Sequence, residues 1–175
     1  LYASNGKAVK LRHYLEEASI KYFFPFYYKD VKTGDAGNCE QIALPLIGNL
    51  IFAYSSKEIL DPVLKEAKRK LAISSDLYYR DFGDKRMITI PENQMRNFIA
   101  IAENSRKNII YLSNKDVSCR KGTRVKITGG EFAGVEGVFM RIKGNKRLVV
   151  NIPQLFSVAT EYIPTCYVQT MENGK

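Results

Sequence analysis

Any nucleophile–base device in this chain would have to use His13, the single histidine among 175 residues. His13 lies between Arg12 and Tyr14 in a helical pattern, and neither a G-x-S-x-G elbow nor a cysteine signature accompanies it. A solvated histidine on a helix face is the plainer reading. The carboxylates form no working pair: Glu16 and Glu17 are adjacent, and consecutive helical residues do not face each other. No D-x-D or H-x-x-x-H spacing offers a metal site. Cys39, Cys119 and Cys166 are odd in number, widely spaced and without C-x-x-C, which argues against a disulfide framework and a zinc site and for a reducing cytoplasm. Gly129 and Gly134 have a phosphate-loop spacing but lack the following Lys-Ser/Thr, and no G-x-G-x-x-G occurs. The residues therefore predict no catalysis, no metal and no cofactor.

What remains is binding chemistry. Tyr22, Phe23, Phe24, Phe26, Tyr27 and Tyr28 cannot all point to one face of a strand, because successive side chains alternate. Either helices cover both faces of their sheet, or an apolar depression receives a partner helix. Lys65, Lys68, Arg69 and Lys70 form a basic helix end, which the helix dipole favours in any case. The functional alternative is contact with nucleic acid. The net charge of +9 is a solubilising surface or an electrostatic footprint for nucleic acid or an acidic protein. Residues 120–147 hold eight basic against two acidic side chains.

These groups must be placed by an α+β framework. Ala8, Leu11, Leu15 and Ala18 make a helical stripe over Gly6–Ser19. Pro25 limits the aromatic run to an edge strand or a break, and Val31–Asn38 reads as a hairpin tip. Ile42–Tyr54 reads as a central strand after Pro45. Ser55 and Glu58 have capping-box spacing ahead of a helix to about Leu71. Leu77–Tyr79 and Met87–Ile90 read as short strands around a turn at Asp81–Lys85, and Asn93–Ala102 as a third helix. At 175 residues one domain or two small ones are possible, and no apolar run reaches transmembrane length.

The segment Lys121–Asn151, KGTRVKITGGEFAGVEGVFMRIKGNKRLVVN, reads differently. Val125 and Ile127 alternate with polar residues, Gly129-Gly130 breaks the strand, and Val138–Ile142 turns at Lys143-Gly144-Asn145 and returns as Arg147–Ile152. Short strands at glycine corners predict a small curved β-barrel. Six glycines in this segment, each costing about 1 kcal/mol in a helix relative to Ala, exclude a helical alternative.

This segment resembles the KOW motif of the NusG family of transcription elongation factors: the basic-apolar strand, the glycine pair, Phe132-Ala133-Gly134 and the Gly137-Val138 restart carry the likeness. The preceding residues resemble that family's amino-terminal (NGN) domain. Leu1-Tyr2 stands where relatives have Trp-Tyr, Phe24-Pro25 matches the second strand, and Leu46–Ala53 (LIGNLIFA) matches a strand that reads like LFPNYLFV, keeping Asn49 and Phe52. Tyr78-Tyr79-Arg80, Ile90-Pro91-Glu92 and Val158–Pro164 extend the likeness to about residue 165. It is nearest the specialised paralogues that antiterminate capsular-polysaccharide operons.

The resemblance implies an NGN-type α/β sandwich over residues 1–112, a linker at 113–120 and an SH3-like KOW barrel over 121–170. It implies no enzyme but a cytoplasmic, monomeric antitermination factor that binds the clamp helices of RNA polymerase. The family's pocket positions fall on Tyr2, Ile47, Asn49, Leu50, Phe52 and Tyr78. Upstream or non-template DNA would meet Lys65, Lys68, Arg69, Lys70, Lys143, Lys146 and Arg147. A ribosomal protein or termination factor would meet the barrel loops at Phe132, Leu155 and Phe156. The alternative is a KOW-containing ribosomal or RNA-binding protein without a polymerase role.

Overall fold

A computed structural model describes residues 1–3, 6–33, 38–45, 47–81, 83–104, 109–112, 117 and 122–171. The chain is mixed helix and antiparallel sheet, an α+β protein, and divides into two compact units, Leu1–Ile88 and Thr89–Lys175. The first holds α1 (Lys7–Glu17), β1 (Lys21–Phe23), β2 (Phe26–Thr33), β3 (Asn38–Pro45), β4 (Phe52–Tyr54) and α2 (Lys57–Lys70). The second holds α3 (Glu92–Asn104), β5 (Ile110–Leu112), β6 (Thr123–Ile127), β7 (Glu136–Ile142), β8 (Asn145–Ile152), β9 (Phe156–Tyr162), a 3-10 turn at Thr165–Tyr167 and β10 (Val168–Thr170).

In the first unit Pro25 separates β1 from β2, so the aromatic run is broken. β1 pairs with β4 (Phe23 opposite Phe52), and β2 pairs with β3 as a separate two-stranded ribbon. In the apolar stretch Ile42–Tyr54, expected to hold a central strand after Pro45, β3 ends at Pro45 and only Phe52–Tyr54 forms a strand beyond it. Gly48 at φ +49° and the Leu50 N–H bond to the Ile47 carbonyl make a turn between β3 and β4. Leu1–Ala3 is tied to the far side of that turn: Ala3 N–H donates to Asn49 O, Ile51 N–H to Leu1 O, and Tyr2 N–H to Leu77 O. α1 contributes Ala8, Leu11 and Leu15, and α2 contributes Leu60, Leu64 and Ala67, to one core with Ala3, Ile51 and Leu77. The capping-box reading fails at Ser55. The N-cap is Ser56, one residue later, and its side chain makes no capping bond. Pro62 lies inside α2 and leaves the Glu58 carbonyl without its helical N–H donor.

The second unit is a six-stranded antiparallel sheet in the order β10-β6-β7-β8-β9-β5. A meander from β6 to β9 follows the glycine turns, and β10 returns after the 3-10 turn to pair with β6. The segment is strand throughout its paired length. Leu148, Val149 and Val150 are all buried although successive residues face opposite ways, so both faces of β8 are covered. Met140, Ile142, Val149 and Ala159 gather on one face with Ile110, Leu112 and Val117. On the other, the Phe98 ring meets Phe156 edge-on at 5.4 Å and Tyr111 lies 6.0 Å from Phe156. The Glu136 N–H donates to Asn97 Oδ1 at 3.2 Å.

α3 and β5 thus pack within the second unit, whereas the sequence reading placed both ahead of a linker at 113–120. Of that linker only Val117 falls among the described residues. Of the hairpin tip expected at Val31–Asn38, residues 31–33 and Asn38 belong to β2 and β3, and 34–37 lie outside the described residues.

Phe98→Ala should destabilise the second unit by about 3–5 kcal/mol, because the ring is fully buried. Gly137→Ala should also destabilise it, since a Cβ there would sit 2.6 Å from the Val149 carbonyl oxygen. Urea denaturation followed by amide signals of each unit should show both losses in residues 89–175 first.

Candidate partner-binding face and basic surfaces

Strand alternation sorts the first unit's apolar residues onto two faces. Leu1, Ala3, Ile51, Ala53 and Tyr22 pack against the core that α1 and α2 supply. Tyr2 bridges Leu50, Phe52 lies opposite Phe23, and these four alternate positions point to the other face. Phe23 and Phe52 stand 6.5 Å apart, and Tyr2 meets Tyr79 in an edge-on pair at 6.1 Å. Tyr2 is 39% exposed, Phe23, Phe52 and Tyr79 are half-buried, and Leu50 is buried. Ile47 and Asn49 are half-buried in the adjoining turn. The arrangement is a partly exposed aromatic surface, and among the described residues it holds no nucleophile or acid–base pair. Its chemistry is apolar association.

Of the pocket residues expected from the sequence, the structure brings Tyr2, Leu50 and Phe52 together, with Ile47 and Asn49 beside them. Tyr78 is not with them. Its ring packs against the helix-side core and its phenol donates to Asp61 Oδ1 of α2 at 2.8 Å. Burial first, then the Asp61 bond, raises the Tyr78 phenol far above its ordinary value. Hydrogen bonds from Lys57 and then Tyr78 hold the Asp61 carboxyl below the usual carboxylate range. Tyr79 stands where Tyr78 was expected. Period-two counting from buried Leu77 turns Tyr78 outward, but Leu77–Tyr79 is bent rather than a regular strand.

The basic helix end is partly engaged. Lys70 Nζ lies 2.8 Å from Glu66 Oε1 and 5.8 Å from the Tyr14 ring centroid. Lys68 is half-buried, while Lys65 and Arg69 are exposed. In the second unit Lys143 and Lys146 are exposed, and half-buried Arg147 donates from Nη1 to the Thr160 carbonyl at 2.9 Å. For Phe132 and Phe156 the sequence left two places open, an exposed loop tip or a ring capping the interior; both are buried, at 5% and 8% exposure, and Leu155 is half-buried. Both phenylalanines lie in the buried interior of the second unit, because an apolar ring gains more from burial there than from exposure.

His13 is exposed on α1, with Glu17 Oε1 at 3.3 Å from Nε2 and Glu16 Oε2 at 4.0 Å from Nδ1. Among the described residues no cluster of His, Cys, Asp and Glu could hold a metal ion, and no helix is long and apolar enough to cross a membrane. The chain matches no protein-family model, and no curated protein gives a significant match.

The Tyr78–Asp61 bond yields a pH prediction. Asp61 has a depressed folded pKa, so its stabilising contribution is present above the unfolded carboxylate value and disappears as pH falls through the folded one. Tyr78→Phe should lower the urea midpoint at neutral pH. The gap from the parent should close as Asp61 is protonated in acid, read from midpoints between about pH 3 and pH 7.

Proposed function

We propose that this chain is a NusG-type transcription elongation or antitermination factor, acting without catalysis. Its aromatic face of Tyr2, Phe23, Leu50, Phe52 and Tyr79 would receive the clamp helices of RNA polymerase. The observation that carries the reading is the sorting itself: α1 and α2 supply one face of the strands, and bulky apolar residues occupy the opposite one. A helix pair laid across such a face would bury aromatic area of the kind that dominates interface energy.

The second unit supports the same reading. Its strand order, with a 3-10 turn before a last strand that returns to the first of the meander, is compatible with an SH3-like KOW barrel. Binding the polymerase clamp would favour its closed, elongating state through differential affinity for that state. The operons served would be those of polysaccharide synthesis, in the cytoplasm, with the factor acting as a monomer. The basic residues Lys65, Arg69, Lys143 and Lys146 are exposed and would add contact with upstream or non-template DNA. A ribosomal protein or termination factor, if it binds the barrel, would use a surface other than buried Phe132 and Phe156.

Affinity capture of the tagged chain from its native cells should bring down RNA polymerase subunits. Phe52→Ala and Tyr79→Ala should each weaken binding to purified polymerase by about 2 kcal/mol or more, whereas Tyr78→Phe should leave it unchanged. Folded Phe52→Ala and Tyr79→Ala proteins that both bind at parental affinity would refute the face. Capture of ribosomal proteins without polymerase would favour the ribosomal alternative.

A further inference from the structure

The outer aromatic face of the first unit has a charged end. In the two short strands β1 and β4, Lys21 is the one charged residue. The register places it: Lys21 lies opposite Tyr54, Tyr22 opposite Ala53, and Phe23 opposite Phe52. Tyr22 and Ala53 pack against the helix-side core. Alternation therefore sends Lys21 and Tyr54 to the face that Phe23 and Phe52 share. Both are exposed, Tyr54 at 65%. The Lys21 ammonium stands 5.9 Å from the centroid of the Tyr54 ring, within reach of a cation–π attraction. It forms no ion pair among the described residues. The ring thus holds a cation at the edge of the face and leaves it without a counter-charge.

The spacing of the face gives that cation a use. Leu50, Phe52 and Tyr54 succeed one another at two-residue intervals, about 6.6 Å apart in an extended chain. A helix repeats every ~5.4 Å. A partner helix lying along the row could slide by one turn, or reverse, and still set apolar side chains on apolar rings. Apolar contact is non-directional and does not separate these arrangements. A single charge at one end does, because one placement brings an opposite charge to it and the others leave it unpaired.

We propose that Lys21 is the register-setting contact of this face. The partner helix then carries an Asp or Glu carboxylate one turn beyond the apolar side chains that cover Leu50 and Phe52. Tyr54 acts as the positioning residue that keeps the ammonium over the face. The inference rests on the reading of this face as the clamp-helix site, and it states what that helix must present.

The test is binding of the full chain to purified RNA polymerase, with Phe52→Ala and Tyr79→Ala measured alongside. Lys21→Gln should weaken binding about threefold, as for an exposed charge pair. Lys21→Glu should weaken it about tenfold or more, since like charges are then opposed. Each carboxylate of the clamp helices is next replaced by Lys in turn. One such polymerase should bind the parent weakly and restore the binding of Lys21→Glu. If the parent does not bind polymerase, or if folded Phe52→Ala and Tyr79→Ala both bind at parental affinity, the face itself is misassigned and the register contact falls with it. If either aromatic variant weakens binding while folded Lys21→Glu binds as the parent does, the face stands and the register contact is overturned. It is also overturned if Lys21→Glu weakens binding and no Lys substitution in the clamp helices restores it.

Discussion

The first unit depends on a short backbone clasp. Leu1–Ala3 exchanges hydrogen bonds with Asn49–Ile51 on one side and donates to Leu77 on the other. These bonds fix which residues of three separate segments share a face. With Ala3 and Ile51 in the core, Tyr2 and Leu50 must turn the other way, and Phe52 follows two residues later. A one-residue slip at this clasp would exchange the two sets, sending Tyr2 and Phe52 into the core and Ile51 out. The aromatic face and the helix-side core are therefore two consequences of one register.

The second unit solves a different problem. Within its six-stranded sheet the four-stranded meander β6–β9 must be covered on two sides, since β8 is buried on both of its faces. α3 supplies part of that cover through Phe98, with Ile101 and Ala102 also buried, and β5 extends the sheet beside β9. Phe156 is consequently a packing residue. Its position under Phe98 removes it from the surface on which a partner would look for an anchor, and Phe132 is similarly buried. Lys143, Lys146 and Tyr162 are among the exposed residues of this unit instead.

Electrostatics are subordinate to packing in both units. The exposed ion pairs of α1 and α2 are of the i, i+4 kind and contribute little each. The Lys57–Asp61–Tyr78 chain is more consequential, because it anchors the bent segment after α2 and thereby settles which of two adjacent tyrosines reaches the outer face.

Much of this was legible in the amino-acid sequence. Helical stripes located α1, α2 and α3 to within two residues, Pro25 marked the break between β1 and β2, and Gly129–Gly130 and Lys143-Gly144 marked turns between strands. Each of these is a local property, set by side-chain period or by backbone conformations that Gly and Pro permit or forbid. The aromatic surplus at Tyr22–Tyr28 also announced that some rings would lie away from the core. Tertiary structure alone decided the rest. The residues after Pro45 are apolar enough for a strand up to Tyr54, yet the turn at Gly48 shortens it to Phe52–Tyr54, because the clasp with Leu1–Ala3 needs Leu50 and Ile51 in a new register. The family resemblance put Tyr78 on the outer face, but its phenol bonds Asp61, seventeen residues earlier in the chain, and Tyr79 meets Tyr2 instead. α3 carries an apolar stripe that would suit either unit. Long-range contacts assigned it to the second, among them Phe98 on Phe156, 58 positions later, and Asn97 on the Glu136 N–H. Periodicity fixes which face of an element is apolar, but which neighbour covers that face is settled by long-range packing.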